Sequence, residues 1–177
     1  MKIRHLLFLV LLAFLFACNN AARENKTKEL RPSIDAVNAN RKLMDDYHEE
    51  VWVKKNVAYT KTVVADSFFS HSSQPGTPKG PEPVIQFLQS FYKAFPDLAD
   101  TKTHLIADKN FAVLGWVVSG TMKDSLWGIP PTNKKFAVSG NDILRIENGK
   151  FTEHWFGLSQ VMDNIFEQCG ISFPKQK

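Results

Sequence analysis

The stretch SGNDILRIENGKFTEHW, residues 139–155, decides the fold. Polar and apolar residues alternate along it, break at Asn148-Gly149, and alternate again. Asn-Gly between alternating runs is a strong hairpin signal, because a type I′ turn needs two positive φ angles that these residues tolerate. With that turn as the loop, Ile146 is expected opposite Phe151, Leu144 opposite Glu153, and Asp142 opposite Trp155. All share one face, which Val138 and Phe136 extend backwards. The other face would carry Ala137, Ser139, Asn141, Ile143, Arg145, Thr152, His154 and Phe156, a more polar set. Asp142 and Glu153 are therefore polar exceptions on the buried side. A carboxylate there must be paired, hydrogen-bonded or neutralised by a raised pKa, and the last condition is what general acid–base chemistry uses.

Working outward from the hairpin, THLIAD (103–108) and FAVLGWVVSGT (111–121) predict two strands around a turn at Asp108-Lys109-Asn110. MKDSLWGIPPTNK then forms a loop leading into the hairpin. The first half has helical spacing instead. From Ile34 to about Lys55, the residues Val37, Leu43, Met44, Tyr47, Val51 and Trp52 predict an amphipathic helix, with His48 expected to face solvent. Residues 56–66 are ambiguous, and SFFSHSSQPGTPKGPEP (67–83) predicts a loop from its Gly and Pro content. VIQFLQSFYKAF follows as a second helix stopped by Pro96, and a last helix is expected from Ser159 to Gln168 with Gly170 as its stop. Helices first and a strand meander later mean α+β: a curved antiparallel sheet with helices closing one face around a space where a small-molecule site would lie.

The chain begins MKIRHLLFLVLLAFLFA, basic at Lys2 and Arg4 and then apolar to Ala17, too short to span a membrane comfortably. Residues 1–17 are thus an expected export signal. LFAC resembles a bacterial lipoprotein signal, which implies cleavage before Cys18, lipidation of Cys18, and anchoring on the periplasmic or cell-surface side of a membrane. Residues 18–33 are polar, without aromatics, and predict a flexible tether; residues 34–177 predict one domain. Removing Lys2 and Arg4 from the 22 basic residues leaves 20 against 18 acidic, a net charge of +2. With no concentrated basic stripe, nucleic acid is not an expected partner. Cys169 is the only cysteine besides Cys18, so no internal disulfide is expected, and a small buried hydrophobe is its expected role. The five histidines, at 5, 48, 71, 104 and 154, lack the paired spacing of a zinc or iron site. There is no phosphate-cradling glycine loop and no nucleophile elbow of the hydrolase type.

Five short stretches, AFPDL (94–98), SGT (119–121), GIPPTNK (128–134), DILRIENGKFTEHW (142–155) and QCG (168–170), together resemble the SnoaL-like polyketide cyclases, also called ester cyclases. The resemblance covers roughly residues 38–170. It implies the cone-shaped barrel shared with nuclear transport factor two and ketosteroid isomerase, a hydrophobic pocket, and cofactor-free aldol closure by an acid–base carboxylate. Members commonly carry an acidic residue directly after EHW and another shortly beyond; here these positions are Phe156 and Ser159.

Asp142 is the candidate acid–base, or alternatively a carboxylate that only orients a ligand. His71 matches a histidine often found near the pocket mouth of that family and is the second catalytic candidate. Leu144, Trp155 and Glu153 are expected on the pocket face, with Trp116 and Trp127 lining or closing it. His154 falls on the opposite face by strict alternation, so that a pocket role for it requires a β-bulge. The expected ligand is a hydrophobic, carbonyl-bearing small molecule; no cofactor or metal is expected, and a homodimer is compatible with such a domain.

Overall fold

The computed structural model describes residue 31 and residues 33–172. The export signal, Cys18 and the tether up to residue 30 lie outside the described residues. The chain divides into two compact units, Met1–Ala36 and Val37–Lys177. In the first, residues 31 and 33–36 are helical, and of the expected tether only residues 31 and 33 are described. The second unit carries the sheet, the remaining helices and the cavity.

Residues 37–47 form helix α1, which widens into a π-helical turn at His48–Val53. Asn40, Met44, Tyr47, His48 and Val51 make its buried stripe. His48 is only 6% exposed, against the expectation that it faces solvent. A 3₁₀ turn (Val57–Tyr59) and a single helical turn, α2 (Thr60–Val63), lead into strand β1 (Val64–Ser70). The expected loop therefore starts after Ser70, not at Ser67. Helix α3 (Pro81–Ala94) opens with proline at its first position, where the missing N–H has no intrahelical partner to lose. It buries Leu88, Phe91 and Ala94 on one side and ends before Pro96, whose ring disfavours helical geometry at Phe95.

Strands β2 (Ala99–Ala107), β3 (Phe111–Thr121), β4 (Lys135–Glu147) and β5 (Lys150–Trp155) come next, then helix α4 (Leu158–Gln168). They build one curved sheet in the order β1-β5-β4-β3-β2, antiparallel throughout except that β1 runs parallel to β5. The sheet is thus mixed, where the sequence pattern predicts a wholly antiparallel one. Helix α3 lies between β1 and the meander, and that crossover frees β1 to lie alongside β5 in the same direction. Asn148 and Gly149 take φ of 51° and 71°, the left-handed pair that a type I′ turn demands.

The core lies between the inner sheet face, including Leu114, Val118, Phe136 and Ile146, and the helices, through Met44, Leu88, Phe91, Met162 and Ile165. Cys169 is fully buried and free. Among the described residues no helix is long and apolar enough to cross a membrane.

Candidate active site

The hairpin holds its expected register for two pairs only. Glu147 faces Lys150 and Ile146 faces Phe151, but Arg145 then faces Glu153, Leu144 faces His154 and Ile143 faces Trp155. Thr152 is the extra residue of a β-bulge in β5, and every side chain beyond it changes face. Phe151 is buried on the inner side; past the bulge, His154 and Phe156 take that side and Glu153 and Trp155 leave it.

The inner side encloses a cavity of about 380 Å³. Its walls are apolar, with Phe68, Phe87, Phe91, Leu114, Trp116 and Leu144 among them. Asp142 belongs to the wall, as expected, and its side chain is 13% exposed. The bulge brings His154 against it, with His154 Nε2 3.0 Å from Asp142 Oδ1. The imidazole is stacked with Phe156 at 5.8 Å and Phe68 at 6.4 Å between ring centroids. Its other nitrogen, Nδ1, lies 3.3 Å from Ser70 Oγ. Ser70 is the parallel cross-strand partner of His154. Ser70 Oγ accepts the Ser72 backbone N–H, and its own hydrogen is free to go to Nδ1 when the acceptor-only Asp142 carboxylate takes the Nε2 proton. A neutral His154 then carries its proton on Nε2 and donates it to the Asp142 carboxylate. Oδ2 of Asp142 has no hydrogen-bond partner among the described residues.

A second histidine–carboxylate pair reaches the same cavity through its carboxylate. Asp100, with its side chain 3% exposed, accepts from His48 Nε2 at 3.0 Å. Tyr47, also in the cavity wall, feels the charge of both carboxylates. Burial, and after it the charge of Asp142, push its hydroxyl well above the usual phenol range, with Asp100 adding to the effect and a hydrogen bond from Trp52 opposing it. Tyr47 is thus held as an O–H donor. Neither Tyr47 nor the His48–Asp100 pair stands out as a site from sequence alone.

The other expected site residues lie elsewhere. Trp155 and Glu153 are on the outer face, because the bulge turns them there. His71 goes with them: it stacks on Trp155 at 4.4 Å and bonds to Glu153 through Nε2 at 2.9 Å. Arg145 holds the other oxygen of Glu153 at 3.1 Å. The His71 hydrogen bond, more than the Arg145 contacts, keeps the Glu153 carboxyl below its ordinary range against the cost of partial burial. Trp127 is 53% exposed and does not line the cavity; it borders a shallow neighbouring groove with Phe87 and Gln86. Trp116 does line the cavity, lying flat across Gly140, its partner on β4. Among the described residues no group of three or more His, Cys, Asp or Glu side chains converges as metal ligands do.

The family model described as SnoaL-like polyketide cyclase matches residues 42–163. No match is found among curated proteins. Among solved structures, TsrD from Streptomyces laurentii is similar at 21% identity and a TM-score of 0.64, covering 76% of this chain and 96% of that one. AclR from Streptomyces galilaeus is similar at 20% identity and a TM-score of 0.60, covering 75% of this chain and 96% of its own. A SnoaL-like polyketide cyclase from Agrobacterium tumefaciens is similar at 17% identity and a TM-score of 0.55, covering 64% and 86%. At such identities the likeness establishes a common fold.

Proposed function

Because the chain belongs to the SnoaL-like polyketide cyclase family, we propose that its cavity takes a hydrophobic small molecule bearing a carbonyl and moves a proton on the carbon beside it. Asp142 is the base. It removes that proton, and His154 holds the carboxylate in place through Oδ1 while Oδ2 remains for the substrate. The enolate oxygen accepts from the Tyr47 hydroxyl, which burial keeps protonated. Attack of the enolate carbon on a second carbonyl carbon closes a ring, and the resulting alkoxide takes a proton back; return of the proton to a different carbon is isomerisation. No cofactor enters either sequence.

The observation that carries this reading is the Asp142–His154 pair set in an otherwise apolar wall. A non-catalytic binding role has its own support, since Phe156 and Ser159 stand where relatives carry acids. In that case Asp142 orients a retained ligand. We also place the domain outside the cytoplasm, tethered through a lipidated Cys18. The test is to identify by mass spectrometry the compound retained by the purified protein and to incubate it with wild type and Asp142→Asn. Conversion by wild type at a rate about 10²-fold or more above the variant is expected. Equal conversion removes Asp142 as the base, and retention by both without conversion supports the binding role.

A further inference from the structure

Acid–base work at Asp142 touches Ser70 only through the orientation of His154, yet Ser70 completes a hydrogen-bonded series with His154 and Asp142. Its Oγ lies 3.3 Å from His154 Nδ1, and His154 Nε2 lies 3.0 Å from Asp142 Oδ1. All three residues border the cavity. The Ser72 N–H on Ser70 Oγ stabilises negative charge on that oxygen. Nucleophile, base and orienting carboxylate need only this mutual geometry; they recur on unrelated folds and in any chain order. The absence of a nucleophile-elbow motif is no obstacle, because here the serine is placed by the parallel pairing of β1 with β5.

We propose that Ser70 is a nucleophile toward esters and thioesters of hydrophobic acids. Ser70 Oγ bonds to the acyl carbonyl carbon as its proton passes to His154 Nδ1. The tetrahedral intermediate collapses with cleavage of the bond to the alcohol or thiol, which leaves with that proton. Water then attacks the acyl-Ser70 carbon, giving its proton to Nδ1, and Ser70 Oγ departs with it, releasing a carboxylic acid. Asp142 keeps the imidazole in the required tautomer and balances its charge while it is protonated. Ser73, Gln74 and Lys79 border the cavity on the loop after β1 and are the donors for the oxyanion. Phe68, Phe87 and Phe91 receive the acyl group.

This activity shares His154 and Asp142 with the acid–base reading but alone requires Ser70. The full-length protein is treated with an alkyl fluorophosphonate, and the adduct is located by peptide mass spectrometry. One adduct per chain on Ser70 is expected, absent in Ser70→Ala and formed at least tenfold more slowly in His154→Gln. If circular dichroism shows that His154→Gln does not fold, Asp142→Asn, which keeps side-chain shape and removes the charge, is used for the same comparison. No adduct on Ser70, or an adduct formed at the wild-type rate in the folded variant, overturns the proposal. The acid–base reading is separable, since its substrate proton exchange is read on wild type and needs no acyl-serine. Labelling without exchange sinks that reading alone, and exchange without labelling sinks this one alone.

Discussion

Gly140→Ala tests how the cavity wall is assembled. Gly140 on β4 faces Trp116 on β3, and the indole of Trp116 crosses the space a side chain would fill. A Cβ at residue 140 would run into Trp116 Cζ2 and would stand 2.5 Å from Cη2, whereas ordinary contact begins at 3.4 Å. The ring must therefore retreat by about 1 Å, and it is only 6% exposed, so retreat means intrusion on its neighbours and on the cavity. Such overpacking costs about 1–3 kcal/mol. The lower backbone entropy of alanine in the unfolded chain returns roughly 0.4–1 kcal/mol. At the middle of these ranges a net loss of about 1.3 kcal/mol is expected, read from urea denaturation at 25 °C. In a Trp116→Leu background the same change should cost under about 0.5 kcal/mol, since the clash is gone. Gly140→Ala as stable as wild type, or equally costly in both backgrounds, would refute the placement of Trp116 across Gly140.

Acid stability and membrane attachment can be checked separately. Asp97 accepts from the Thr121 hydroxyl at 2.7 Å and the Thr121 amide at 2.8 Å, and these bonds hold its carboxyl below the usual range. A depressed folded-state pKa gives stability that is complete above the unfolded value of about 3.9 and is lost as pH falls through the folded value. Asp97→Asn should therefore lose about 1 kcal/mol at neutral pH, modest because the carboxylate is solvated, and flatten the acid limb of a stability–pH curve; an unchanged limb assigns that limb to other groups. Metabolic labelling with a radiolabelled fatty acid should mark wild type and not Cys18→Ala, and equal labelling of both would sink the lipoprotein assignment.

The turn at Asn148-Gly149, the length of β3 and the helical stripe of α3 were legible because each is encoded by neighbouring residues. The bulge at Thr152 was not. Thr, Glu, His and Trp all tolerate either face of a half-covered strand, so the local pattern counts regularly through a position where the sheet does not. The consequence falls on the site: Asp142 and Leu144, before the bulge, keep their predicted face, whereas Glu153, His154 and Trp155 exchange theirs. Strand β1 was hidden for a different reason. Its partner is 84 residues away at Ser70 and His154, and no local pattern reports a parallel pairing of that range. His48 did carry a readable signal, four residues after Met44 and three before Val51, on the same stripe; its polar side chain is buried at the cost of a carboxylate partner, Asp100. Asp100 itself sits on β2, where a register shift between Lys102 and His104 disturbs the alternation that would have marked an inward face.

In the proposed reaction Asp142, held by His154 inside an apolar cavity, moves a proton beside a carbonyl. The most direct measurement is deuterium uptake from D₂O at that carbon in the compound retained by the protein, followed by mass spectrometry for wild type, Asp142→Asn and His154→Gln. Wild type should exchange the proton, Asp142→Asn should do so about 10²-fold or more slowly while still retaining the compound, and His154→Gln should fall between them. Uptake at the same rate in all three proteins, or none in wild type with the compound bound, would contradict the account.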